Sequence, residues 1–181
     1  MSDRTGVMYT DGEFIPLYDQ PNIFKKTFGC DTERVIYKIL FDKQDEIIAR
    51  SIGIVKIIQV NDRFVDLELL EVDNNWSYKS NNEVVKEMSV VKDYLQSIGI
   101  MYIDWKYDNI GISRTDGKVK LFDFDVSGCV SPDNSSWTIE PPYYFAYKKA
   151  TDAGMTTPAD IDNFAFDNGF GLSNECKCCL L

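Results

Sequence analysis

Apolar residues recur at helical spacing between Asp31 and Arg50, where Val35, Ile36, Ile39 and Leu40 form one stripe behind a cap at Asp31 or Thr32. The pattern then changes. From Ser51 to Leu70 two apolar runs flank Asn61-Asp62, which predicts a β-hairpin. A second amphipathic helix is predicted from Val91, followed by an apolar stretch, Ile98 to Ile103, that should anchor the next loop in the core. Ile110-Gly111-Ile112 and Val119 to Phe122 flank Thr115-Asp116-Gly117-Lys118, and Asp-Gly marks this as a second hairpin. A last helix is predicted around Asp160 to Phe166, after Thr156-Thr157-Pro158. Helices and hairpins thus alternate along the chain.

The loop between the second helix and the second hairpin carries the candidate chemistry. Asp104 and Lys106 lie two positions apart, so in an extended loop both can face one reacting oxygen. Asn109 offers a neutral amide oxygen, a good hard ligand for magnesium. The hairpin should return Asp123 to the side of Asn109, making neighbours of two residues distant in sequence. A lone Asp-Gly hairpin with acids nearby reads as solvated turn residues. What sets this one apart is Asp-x-Lys-x-x-Asn followed fourteen residues later by Asp-Phe. These are the parts phosphoryl transfer needs: a carboxylate for the acceptor hydroxyl, a cation for the transferring phosphate and two oxygen ligands for the metal.

With those residues in place, the chain resembles eukaryotic-type protein kinases from about Ile23 to Phe166. The resemblance implies an α+β, bilobal kinase-like fold: a β-rich small lobe over 1–72, a hinge or linker over 73–82, and a truncated, mainly helical large lobe over 83–170. A Cys-rich tail would occupy 171–181. It also implies ATP and Mg2+ as cofactors, Asp104 and Lys106 as catalytic residues, and Asn109 and Asp123 as metal ligands. Leu67 would be the gatekeeper, and Glu68 and Leu70 would offer hinge backbone groups to the adenine edge. In the family a helix glutamate, here Glu33, pairs with a strand lysine that holds the α- and β-phosphates. Strand alternation leaves Lys25 and Lys26 as candidates. Lys25 is preferred, because Ile23 then lines the pocket, whereas Lys26 would bring bulky Phe24 there. Read without the family, Glu33 is a first-turn acid favoured by the helix dipole. Trp137 to Pro142 is similar to the end of an activation segment. Asp160 would be the buried acid bracing the catalytic loop, or simply a helix cap. Lysine two residues after the catalytic aspartate is more similar to the Ser/Thr kinases than to the tyrosine kinases. Small, reduced kinases of large DNA viruses have a similar look.

The departures are equally specific. Thr10 to Pro21 contains only Gly12 where the family has a glycine-rich loop. Tyr102-Ile103 stands in place of His-Arg, and Asp125 in place of the glycine after Asp123-Phe124. The family's later large-lobe helices have no counterpart. The expected activity is therefore transfer to protein Ser or Thr. A pseudokinase acting as a binding module and a small-molecule phosphotransferase on the same fold are the alternatives.

Composition narrows the partners. With 181 residues, 44% hydrophobic and 13% aromatic, the chain can bury one core or two small lobes sharing a cleft. A formal net charge of -10 excludes the basic footprint of a nucleic-acid binder and would suit basic peptide acceptors. No signal peptide or membrane-length apolar run is evident, which predicts a cytoplasmic protein. Asn74 to Asn82 reads as a linker, and Asn134-Ser135-Ser136 is a sequon that means little without a secretory signal. Cys30 and Cys129 are isolated, while Cys176, Cys178 and Cys179 crowd the end. Cys178-Cys179-Leu180-Leu181 fits a prenylation pattern, so membrane association would depend on lipidation of that tail.

Overall fold

The computed structural model describes residues 22–72, 81–142 and 144–172. The expectations placed on Gly12, on most of the Asn-rich linker and on the C-terminal cysteines fall outside those residues. The chain opens with β1 (Ile23–Thr27), α1 (Asp31–Asp42) and α2 (Gln44–Ala49). The hairpin of β2 (Ile57–Val60) and β3 (Phe64–Glu68) follows, then the short β4 (Leu70–Glu71). The long α3 (Asn81–Ser97) leads into β5 (Ile100–Met101), and β6 (Ile110–Ser113) and β7 (Val119–Leu121) form the second hairpin. β8 (Gly128–Val130), β9 (Trp137–Ile139), α4 (Phe145–Asp152) and α5 (Pro158–Gly169) complete the fold.

Three small antiparallel sheets result, in the orders β1-β3-β2, β4-β6-β7 and β5-β8-β9. Both predicted hairpins form. In the first, Asn61 Oδ1 accepts the amides of Arg63 and Phe64 and closes the turn. In the second, Ile110 faces Leu121 and Ile112 faces Val119. Residues 53–55 tie the first part to this hairpin: Leu121 N–H donates to Gly53 O and Val55 N–H to Leu121 O.

The helix expected over Asp31 to Arg50 is two helices. Its cap is Cys30, with no side-chain cap bond, while Asp31 pairs with Arg34 at 3.0 Å. The turn at Lys43 re-aims α2, so that Ile47 packs into the core and Gln44 Oε1 accepts Ile57 N–H at 2.6 Å. The buried stripe of α1 is Glu33, Ile36, Tyr37 and Leu40, so a carboxylate occupies one position of an otherwise apolar face. The second helix starts ten residues before Val91, at Asn81. Val84, Met88, Val91 and Leu95 are fully buried along one face of it. It ends at Ser97, and two residues on Gly99, with φ of 78°, has the left-handed geometry that favours glycine after a helix.

One contiguous apolar cluster runs from Phe24 to Phe170. Through it passes a chain of rings: Tyr37 against Phe124 at 5.5 Å, Phe124 against Tyr102 at 5.2 Å, Tyr102 against Trp105 at 4.7 Å and Trp105 against Phe166 at 5.0 Å. The Tyr102–Trp105 pair is tilted and the other three are edge-to-face, a geometry that adds about 0.5–1.5 kcal/mol per pair beyond burial. They connect α1 to α5 through the loop carrying Asp104. α5 approaches that loop so closely that a Cβ on Gly169 would lie 1.8 Å from Trp105 O, which is why glycine stands there. Among the described residues no helix is long and apolar enough to cross a membrane.

Candidate functional site

Asp104 is held from behind. Ile103, just before it, has φ of 67°, a costly conformation for a β-branched residue, about 1–3 kcal/mol. Asp162 of α5 holds it there. Its Oδ1 accepts Ile103 N–H at 3.0 Å and Trp105 Nε1–H at 2.7 Å, and its Oδ2 accepts Gln96 Nε2–H at 2.9 Å. Burial pushes the Asp162 carboxyl above its ordinary value, against those three donors and the charge of Lys92. The brace expected at Asp160 is therefore Asp162. Asp160 instead supports the helix cap: Thr157 Oγ1 accepts Asp160 N–H at 3.2 Å and donates to Asp160 Oδ2 at 2.7 Å. Thr157 as cap and Pro158 in the first turn fix this register, and it leaves Asp162 on the inner face.

Asp104 itself is 7% exposed. Its Oδ2 accepts Asn109 Nδ2–H at 2.9 Å and pairs with Lys106 Nζ at 2.7 Å. Asn109 Nδ2 also donates to Asp104 O at 3.0 Å. Among the described residues both side-chain partners of Asp104 sit on Oδ2. Burial acts against the Lys106 charge, but the bond and charge of Asp104 outweigh it and raise the ammonium pKa.

The hairpin brings Asp123 back as expected. Phe122 N–H donates to Asn109 O at 3.0 Å, which sets Asp123 beside Asn109 with φ of 64°. Asp123 forms an ion pair with Lys26, and Lys26 pairs with Glu33 Oε1 at 2.5 Å. Glu33 is fully buried, and its Oε2 accepts Gly29 N–H at 3.0 Å. Burial opposes the Lys26 charge, but adjacent Tyr37, Asp123 and Glu33 hold the ammonium well above its ordinary value. The lysine paired with Glu33 is thus Lys26, not Lys25. β1 turns Phe24 and Lys26 inward, and Phe24 fits because it joins the core, 4% exposed. Lys25 lies on the other face, 3.9 Å from Asp66 Oδ1 and 3.9 Å from the Phe64 ring centroid.

Glu68 and Leu70 are more committed to the scaffold than the sequence suggests. Glu68 N–H donates to Lys56 O, and its carboxylate takes Lys120 Nζ at 2.6 Å, Lys56 N–H at 2.7 Å and Ser113 Oγ–H at 2.7 Å. Leu70 is buried in β4 opposite Ser113.

Asp125 is the feature that the motif alone does not explain. Desolvation, then the charge of Asp123, push its carboxyl up to about 6, with Lys26 acting the other way. A folded value above the ordinary 3.8 means that the folded state holds this proton more tightly. The resulting stabilisation is present below about pH 4 and lost as pH rises through about 6. After allowance for partial exposure this amounts to about 1–2 kcal/mol. In chelator, Asp125→Asn is expected to flatten that loss, measured as urea stability at about pH 4 and pH 7.5. Parallel pH profiles for the variant and the parent would show that Asp125 is already ionised without strain.

No protein-family model and no curated protein matches the sequence. Among solved structures the chain is similar to ROP2 from Toxoplasma gondii, described as a virulence factor with a protein-kinase fold and no enzymatic activity. The TM-score is 0.51 at 13% identity, covering 82% of this chain and 54% of that one. The chain therefore spans about half the length of that relative. Identity this low speaks for the fold alone: the chain has a kinase-like α+β fold.

Proposed function

We propose that this protein transfers the γ-phosphate of ATP to a Ser or Thr hydroxyl of a protein acceptor. The observation carrying this reading is the convergence of two groups. Lys26, Glu33 and Asp123 form one, and Asp104, Lys106 and Asn109 the other, and the β6–β7 hairpin joins them.

The residues fit a shared metal–nucleotide site better than a protein-only cage. Among the described residues no cluster of three His, Cys, Asp or Glu could hold a metal by itself. Magnesium in such sites takes one or two protein oxygens plus substrate phosphates and water. Asn109 turns its nitrogen toward Asp104, so its oxygen is the atom for a cation, and the Asp123 side chain is 24% exposed. These two residues would hold the ion, which when bound neutralises phosphate charge. Lys26, kept in place by Glu33, would grip the α- and β-phosphates. The Glu68 carbonyl and the Leu70 backbone would meet the adenine edge. Asp104 would orient the acceptor hydroxyl and take its proton, and Lys106 would steady the phosphate in flight. A cavity of about 230 Å3 beside Asp104, lined by Trp105, Tyr144, Phe164 and Lys149 among others, supports a protein acceptor. It is smaller than the roughly 300–1,000 Å3 of small-molecule sites and suits one side chain.

Asp125 favours a second reading, a binding module without turnover, because it adds negative charge where the phosphates would lie. The inactivity attributed to ROP2 is in keeping with it. Phosphate transfer from labelled ATP separates the two. With magnesium and a protein mixture as acceptor, the wild type should incorporate label. Asp123→Ala should not, and Asp104→Asn should lose at least about 100-fold while still binding nucleotide. A folded wild type that binds Mg-ATP and never transfers phosphate would establish the binding module.

A further inference from the structure

A cavity of about 390 Å3 lies between α1–α2, residues 51–58, the start of β1 with Glu68, and the β6–β7 turn, and neither Asp104 nor Lys26 lines it. Its walls are aliphatic, with Leu40, Ile47, Ile52 and Ile57 deep and Ile48 and Ile58 at the rim, and no aromatic ring among its described lining residues. The two rim isoleucines are 55% and 41% exposed, so apolar surface stands open to water around the mouth. The polar lining combines the neutral Asn22, Gln44, Ser51 and Thr115 with charged residues. Lys120 is matched to Glu68 at 2.6 Å and to Asp116 at 3.3 Å. Lys56 and Lys118 also line the cavity, and among the described residues neither has a carboxylate within ion-pair distance. Three lysines and two acidic residues thus line the cavity, a local positive excess on a chain of net charge -10.

We propose that this cavity binds a medium-chain aliphatic carboxylate, the chain lying among the isoleucines and the headgroup meeting Lys56 and Lys118. The volume falls within the roughly 300–1,000 Å3 of small-ligand sites, and each methylene buried contributes about 0.8 kcal/mol. A second copy of the chain is a poorer occupant, since a stable interface needs about 1,000 Å2 or more. An aromatic ligand would lack stacking partners. The cavity also touches the elements that set the Lys26 cluster. Leu40 shares α1 with Glu33, and Lys120 lies on the strand leading to Asp123.

The test is calorimetric titration of the full chain with decanoate and with decanol. Decanoate should bind saturably at one site. Lys56→Glu combined with Lys118→Glu should weaken decanoate about five- to tenfold and leave decanol unchanged. Ile58→Asp, at a position 41% exposed, should abolish binding of both while the circular dichroism spectrum is kept. Absence of saturable binding would overturn the proposal. So would binding that a folded Ile58→Asp leaves intact, or a headgroup response missing from the lysine variant. A ligand-free dimer in sedimentation that Ile58→Asp dissociates would assign the cavity to a second copy instead.

Discussion

Replacing Lys26 by methionine is expected to lower phosphate transfer by about 10²–10³, the usual loss when a fixed charge donor is removed from a reacting centre. The same change at Lys25 should leave transfer within about twofold, as for an ordinary surface position. The contrast rests on one alternation of β1. Lys26 is 6% exposed and lies between Glu33 and Asp123, whereas Lys25 reaches Asp66 and the Phe64 ring. Lys26→Met has a second consequence. Glu33 is fully buried, and without its ammonium partner it becomes an uncompensated charge, which costs about 3–5 kcal/mol. Activity could then fall because the protein unfolds, and Lys26→Arg separates the two effects. It keeps the charge beside Glu33 but presents a planar fork in place of a compact ammonium. Stability should largely survive, and transfer should not. Equal losses from Lys25→Met and Lys26→Met would show that neither lysine has a specific place in the reaction.

Much of this was legible in the sequence, and what was not has physical reasons. The β6–β7 hairpin was readable because Asp116-Gly117 fixes the turn and the turn fixes the register, which put Asn109 beside Asp123. Asp104 and Lys106 followed from spacing. Alternation showed that Lys25 and Lys26 face opposite ways, but not which face is inside. Phe24 read as too bulky for the cleft lining, yet a bulky apolar residue is what the interior accepts. The early start of α3 was present as Val84, Met88, Val91 and Leu95, a helical repeat obscured by the Asn-rich run before it. The β5-β8-β9 sheet could not be read, since its strands have two or three residues each and so short a run carries no period. The same holds for the turn at Lys43, which tertiary contacts of Ile47 and Gln44 decide.

The choice between Asp160 and Asp162 turns on capping, and it leads to an expected effect on stability as large as that of Lys26→Met. Asp162→Ala removes the acceptor for the Ile103 amide, the Trp105 indole and the Gln96 amide, and the first two of these bonds are wholly buried. Each orphaned buried donor costs about 1–3 kcal/mol, so a loss of about 3–5 kcal/mol in urea unfolding is expected. Because Ile103 is held at positive φ by one of those bonds, the loop should relax and Asp104 should move with it. Transfer should therefore fall in molecules that are still folded. Asp162→Asn keeps the shape and an oxygen for Ile103 and Trp105, and Gln96 can rotate its amide to meet the new nitrogen. Its cost should be nearer 1–2 kcal/mol. Asp160→Ala removes only a capping partner of Thr157, worth about 0.5–1 kcal/mol. If Asp160→Ala proved the costlier of the two alanine changes, the anchoring of the Asp104 loop would belong to Asp160 after all, and the strained geometry at Ile103 would need another support.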